Sequence, residues 1–229
     1  MIPAGLPEEA YLADEKRSRR IRKAFVGEKK YLICTAVHPE EQNSDFLIDA
    51  MAALKNRLGN RFVLLFIGGD GGMESCLNRA ETLSIKENIA FAGEVPCELV
   101  KDYLFASDVF VSSSDLGSGS VIEEAMAADI PVVATDTWGV REIVKNGFNG
   151  YLTPEDTDVF AEKLWRLFYD GGRYWRLKEG ASMTAERYHL SAVAKMVEAE
   201  YSSLCRKSVS KYYIPERGMV MKASLGGKG

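Results

Sequence analysis

Residues 107–150, SDVFVSSSDLGSGSVIEEAMAADIPVVATDTWGVREIVKNGFNG, decide how this chain folds. An apolar strand, Asp108 to Ser112, runs into a turn of small residues from Ser113 to Ser120. A helix from Val121 to Ala128 follows, then a second strand from Pro131 to Thr135 and another glycine-containing turn. Strand, loop, helix and strand in this order aim a helix N-terminus out of a glycine turn. Such a turn offers unpaired backbone N–H groups and the positive end of a helix dipole, a natural seat for phosphate. Glu124 stands about one turn inside the helix, where a carboxylate can accept two hydroxyl hydrogen bonds, as a ribose would offer. By spacing alone, an ordinary Rossmann-type turn with no ligand fits equally well.

The wording of the stretch goes further. Asp108, Gly119, Val121, Glu124, Ala125, Met126, Ala127, Pro131, Val132, Val133, Gly139, Glu142, Gly147 and Gly150 fall where one family repeats the same residues, given a one-residue shortening around Ser113 and Ser114. Upstream, Ile2-Pro3-Ala4-Gly5, Phe91 to Val95 and Tyr103 to Asp108 continue the match, which covers most of residues 1–205. The chain thus resembles the C-terminal, nucleotide-sugar-binding domain of group 1 retaining glycosyltransferases of the GT-B fold.

Composition agrees with a globular α/β domain. The 229 residues are 46% hydrophobic and 27% charged, with a formal net charge of −4, which gives no footprint for nucleic acid. No apolar run approaches the roughly 18 residues that would span a membrane, and no signal peptide is visible. Cys34, Cys76, Cys97 and Cys205 are scattered without metal-site spacing, so a reduced, cytoplasmic chain is expected.

Alternation of strand and helix patterns predicts a doubly wound, Rossmann-like parallel sheet. The expected strands are Tyr31 to Val37, Phe62 to Ile67, Asn88 to Gly93, the two quoted above, and a short one from Gly150 to Leu152. The expected helices are Pro7 to Phe25, Ser44 to Leu58, Met73 to about Leu83, Glu98 to Ala106, Thr157 to Tyr169, Arg173 to Arg187 and Ser191 to Arg206. One domain, 1–206, and a flexible tail, 207–229, complete the expected organisation. The basic run Lys16, Arg17, Arg19, Arg20, Arg22 and Lys23 reads as a solvated helix face, with an acidic membrane or partner as the other reading.

The resemblance implies a hexosyltransferase-like enzyme of carbohydrate biosynthesis that binds a nucleotide-diphospho-sugar as substrate, without cofactor or metal. Membrane contact would be peripheral only. A GT-B enzyme has two Rossmann-like domains, so an N-terminal acceptor domain or a partner subunit is expected beside this half. By the same resemblance Glu124 holds ribose, the backbone of Gly119, Ser120 and Val121 approaches the diphosphate, and the backbone from Gly93 to Val95 reads the base. Gly117 and Ser118 complete the phosphate-cradling turn and, with Asp115, are the candidates to meet the donor sugar or phosphate.

Three positions depart from the family. Ala36 stands where it places an arginine, and Glu41 (or Gln42) where it places a lysine. Two like charges about 4 Å apart repel by roughly 4 kcal/mol at an effective dielectric of about 20, so a carboxylate there opposes a diphosphate. Leu116 stands eight residues before Glu124, where the family has a second glutamate, and its neighbour Asp115 substitutes only in a re-registered loop. A non-catalytic nucleotide-sugar-binding or partner subunit is therefore the alternative reading.

Other candidates are weaker. Gly68 to Gly72 is a turn that could cradle phosphate. His38 follows a strand end, and His189 reads as a cap or surface residue between two helices. Trp138 is expected to pack, with stacking on a base or sugar as the other use. Ser113 and Ser114 have no histidine and aspartate to form a hydrolase triad.

Overall fold

The computed structural model describes residue 3 and residues 5–36, 43–69, 72–113 and 119–211, excepting the side chains of 119, 120 and 205–211. Six strands form one sheet: β1 (Tyr31–Ala36), β2 (Phe62–Ile67), β3 (Ile89–Phe91), β4 (Val109–Ser112), β5 (Val132–Thr135) and β6 (Gly150–Thr153). Every pairing is parallel, in the order β3-β2-β1-β4-β5-β6. The helices are α1 (Glu15–Val26), α2 (Ser44–Leu58), α3 (Met73–Thr82), α4 (Cys97–Ala106), α5 (Gly119–Ala127), α6 (Trp138–Ile143), α7 (Thr157–Tyr169), α8 (Gly171–Ala185) and α9 (Leu190–Lys211). The doubly wound expectation holds, with the order reversing between β1 and β4.

The strands are buried on both faces, so their sequences are nearly continuous apolar runs. Alternate side chains feed two cores. Leu32, Cys34, Val63, Leu65 and Phe110 pack with Ile122, Ala125 and Met126 of α5. Ile33, Leu64, Phe66 and Val109 pack with Leu47, Met51 and Leu54 of α2 and with Phe160 and Leu164 of α7. The helices that follow β1 and β4 therefore lie on opposite faces of the sheet.

Asp108 fastens the start of this arrangement. Its carboxylate accepts from the Leu32 backbone N–H at 2.7 Å and from Arg22 at 2.9 Å, while its carbonyl accepts from Tyr174 Oη at 3.1 Å. Burial, and secondarily the nearby Asp108 charge, pushes the Tyr174 hydroxyl up to about 12, so it stays a donor. The basic run of α1 is mostly solvated, as expected, and part of it also fastens the helix. Arg17 pairs with the fully buried Asp102, Arg22 also donates to the carbonyls of Ala106 and Lys30, and Arg19 pairs with Glu15.

Several expected boundaries move. The opening helix expected from Pro7 to Phe25 is a 3-10 turn, Glu8–Tyr11, followed by α1. The break has a cause: Leu12 is extended, Asp14 caps α1 by accepting from the N–H groups of Lys16 and Arg17, and its own N–H bonds Asp102 at 2.9 Å. Asn88 ends a 3-10 turn instead of starting β3, and its Nδ2 donates to the Phe62 carbonyl at 2.9 Å. The glycine turn after β5 contains a helix, α6. The third-last expected boundary also shifts, since α8 ends at Ala185 and a 3-10 turn, Glu186–Tyr188, follows. α9 continues through Arg206 to Lys211, and the rest of the expected tail lies outside the described residues.

Two glycines sit at close approaches that no side chain could occupy. A β-carbon at Gly150 would lie 2.2 Å from the Val132 carbonyl oxygen, and one at Gly180 would lie 1.9 Å from that of Phe148. Beside them the buried Asn149 donates to Ile143 and Thr184 and accepts from the Lys145 N–H, binding α6, β6 and α8 together. The entering and leaving segments also meet. The Leu6 N–H donates to the Tyr188 carbonyl, the Leu190 N–H donates to the Leu6 carbonyl, and the Tyr11 ring stacks on His189 at 4.6 Å. His189 is half-buried in this clasp and is a cap, as expected: it ends the 3-10 turn Glu186–Tyr188, and its carbonyl accepts from the Ala192 and Val193 N–H groups at the start of α9.

Candidate functional site

Where the strand order reverses, α2 leaves β1 toward one face and α5 leaves β4 toward the other, the arrangement that in doubly wound sheets places a ligand crevice at the C-terminal edge. In-register pairing of Cys34 with Phe110 carries Ala36 level with Ser112 at this edge. Ser113 Oγ donates to the Asn43 carbonyl at 3.0 Å, joining the end of β4 to the cap of α2. The hydroxyls of Thr35 and Ser112 are fully buried and have no hydrogen-bond partner among the described residues.

α5 starts at Gly119, so Gly119, Ser120 and Val121 form its first turn, with the free backbone N–H groups of a helix start. Glu124 is half-buried one turn further on, and burial raises its carboxyl above the ordinary range. Asp115, Leu116, Gly117 and Ser118 lie outside the described residues, as do Ser114, His38, Glu41 and Gln42. Ala36 is 4% exposed and packed into the core, a small apolar side chain at the crevice edge. Val95 follows β3 at the same edge of the sheet and packs its side chain on the α5-side core, which leaves its backbone as the feature to offer a ligand. Of the turn Gly68 to Gly72, Gly68, Gly69 and Gly72 are described: Gly68 and Gly72 have positive φ, 140° and 78°, and Gly72 leads into α3.

Trp138 departs from expectation. It begins α6 beyond the C-terminal end of β5 and is 74% exposed, so packing does not account for it. Arg141, one turn later, forms a two-pronged pair with Asp136 that braces this corner.

One functional-looking residue was not among the sequence candidates. Glu123, beside Glu124, is 7% exposed. Burial, and secondarily the Glu124 charge, pushes its carboxyl up to about 7. Its field in turn helps burial to raise the hydroxyls of Tyr11, to about 12, and of Tyr188. The available signal was the pair of acids inside an otherwise apolar helix: with Ile122, Ala125 and Met126 facing the sheet, at least one acid lies against a neighbouring element. Among the described residues no cluster of histidine, cysteine or carboxylate side chains is placed to hold a metal ion.

This order of strands defines a doubly wound α/β domain, and comparison with known proteins gives the family. The model of the family Glycosyl transferases group 1 matches residues 15–183. The putative glycosyltransferase EpsD of Bacillus subtilis is 31% identical over 174 residues, covering 73% of this chain and 45% of that protein. The GDP-mannose-dependent alpha-(1-6)-phosphatidylinositol monomannoside mannosyltransferase of Mycolicibacterium smegmatis is 26% identical over 195 residues, covering 77% of this chain and 51% of that protein. Among solved structures, Anabaena HepE in complex with UDP and glucose superposes with a TM-score of 0.76 at 20% identity, covering 88% of this chain and 56% of that one. The C-terminal domain of the group 1 protein LpcC from Francisella tularensis superposes with a TM-score of 0.69 at 21% identity, covering 81% of this chain and 100% of that domain. The fold is that of GT-B glycosyltransferases, and the chain belongs to the glycosyl transferases group 1 family. It spans about half the length of the curated relatives it matches.

Proposed function

We propose that this chain is the donor-binding half of a retaining glycosyltransferase. A nucleoside-diphospho-sugar lies in the crevice between β1 and β4, and its sugar passes to an acceptor held by a separate domain or subunit. The observation that carries this reading is α5, whose first turn opens at the crevice edge with Glu124 one turn behind it. The helix start supplies N–H donors and a partial positive charge to the diphosphate, with no resident metal, and Glu124 accepts from both ribose hydroxyls. Relatives of the same fold support it, since HepE is described in complexes with UDP and with UDP-glucose.

Calorimetric titration with uridine, guanosine and adenosine diphosphates tests the reading. The protein should bind one base in preference to the others. Glu124→Ala should weaken that binding by about 1.5–3 kcal/mol for each charged hydrogen bond lost. Unaltered affinity in the variant would remove Glu124 from the site. Ala36 favours a second reading, a non-catalytic nucleotide-sugar-binding or partner subunit, because a buried methyl cannot neutralise a leaving diphosphate. In that case nucleotide binds but no transfer follows when the missing half is supplied.

A further inference from the structure

The opposite edge of the sheet carries a surface that the nucleotide crevice does not use. From Lys163 to Lys178 the chain reads KLWRLFYDGGRYWRLK, with five basic and five aromatic residues around Asp170 and with Glu162 and Glu179 on either side. The whole chain, by contrast, has a net charge of −4. This stretch is the end of α7, the bend at Asp170 and the start of α8.

The bend sits beside the N-terminal ends of the strands. A shallow groove of about 230 Å³ is lined there by Lys30, Tyr31, Asp108, Phe168, Gly171 and Tyr174, and Tyr31 and Asp108 begin or precede β1 and β4. Tyr169 is 77% exposed and Trp175 65%, large apolar areas for a folded surface. Cations lie over the rings rather than away from them: Arg57 is 5.7 Å from the Trp165 ring, Lys178 5.8 Å from Trp175, and Lys30 5.1 Å from Tyr31. Trp165 stacks on Tyr169 at 5.1 Å. Asp170 is taken by Arg173 and Glu162 by Arg166, while Arg176 and Lys178 make no ion pair among the described residues.

We propose that this α7–α8 corner is a docking surface for an anionic lipid bilayer. Tryptophan and tyrosine settle at the headgroup level, and lysine and arginine are drawn to a negatively charged leaflet. Lysine decides between lipid and protein. Protein interfaces are depleted in lysine, whereas Lys30 and Lys178 stand within this patch over its aromatic rings. The orientation follows: the bilayer lies against the N-terminal edge of the strands, and the crevice at their C-terminal edge stays open to solvent.

Co-sedimentation of the full chain with vesicles tests this. Phosphatidylcholine vesicles with about 30% phosphatidylglycerol should bind about tenfold more protein than phosphatidylcholine alone, with the excess lost in high salt. Tyr169→Ala/Trp175→Ala and Arg176→Glu/Lys178→Glu should each cut that binding about tenfold at an unchanged thermal midpoint. In a Trp138→Phe background, emission from Trp165 and Trp175 should shift to the blue when anionic vesicles are added. Equal binding to both vesicles, no binding, or binding that both double variants retain would overturn the proposal. So would loss of binding only on Arg19→Glu/Arg20→Glu in α1. If light scattering shows a dimer that Tyr169→Ala/Trp175→Ala dissociates, and vesicles are ignored, the corner joins two copies of this chain and the lipid assignment is wrong.

Discussion

Replacing Glu123 by glutamine should stabilise the folded protein at neutral and alkaline pH and change it little in mild acid. The carboxyl is 7% exposed in the folded chain and is pushed up to about 7, from an ordinary value of 4.5. Between those two values the folded state holds a proton that the unfolded state has released. Stability therefore falls as pH rises through this window, and the loss is complete above the folded value. One pKa unit corresponds to about 1.4 kcal/mol, so the full cost reaches about 3 kcal/mol. Glutamine keeps the shape and cannot ionise. Urea unfolding of both proteins, at intervals from about pH 5 to about pH 8, isolates the effect of this one group. The variant's advantage should grow across the series and level off at the alkaline end. A constant difference between the two proteins would refute the placing of Glu123 in a buried, proton-holding site.

Other expectations follow from particular contacts. Arg17→Ala leaves the fully buried Asp102 carboxylate without its counter-charge and should cost about 3–5 kcal/mol in urea unfolding, part of it recovered by adding Asp102→Asn. Gly180→Ala drives a β-carbon into the Phe148 carbonyl and should destabilise by about 1–3 kcal/mol or more, whereas Gly171→Ala meets nothing within 4 Å and should be nearly neutral in the same assay. Glu41→Lys should tighten nucleoside diphosphate binding by about tenfold, shrinking with added salt, while nucleoside without phosphate responds far less; equal affinities would mean that the phosphates lie away from this loop. Ala36 is left unchanged in that test, because an arginine there would have to leave a packed core position.

Much of the fold was legible because local signals agreed with the tertiary outcome. Ser44–Leu58, Phe62–Ile67 and Thr157–Tyr169 fall at the expected residues, each bounded by a turn or cap: Asn43 and Asp156 cap their helices, and Gly59 ends the first of them. The errors lie where a distant residue decides. The break before α1 depends on Asp102, which receives the Asp14 N–H and Arg17 from another helix. α6 is a helix of six residues whose end is held by Asn149, and its sequence alone reads as a glycine turn.

The site divides along the same line. Parallel strands, the order of elements, the glycine start of α5 and Glu124 within it are local patterns, so the sequence by itself determined that this is a doubly wound group 1 domain with a crevice-edge helix. Burial is a property of the packed whole. Only the tertiary structure decided that Glu123 is enclosed while Trp138 is bare, and that Arg17 and Arg22 of the basic run reach Asp102 and Asp108. It alone gathered aromatic rings and cations from α2, β1, α7 and α8 at the edge opposite the crevice. No window of sequence holds those neighbours together; the docking of helices onto a twisted sheet does.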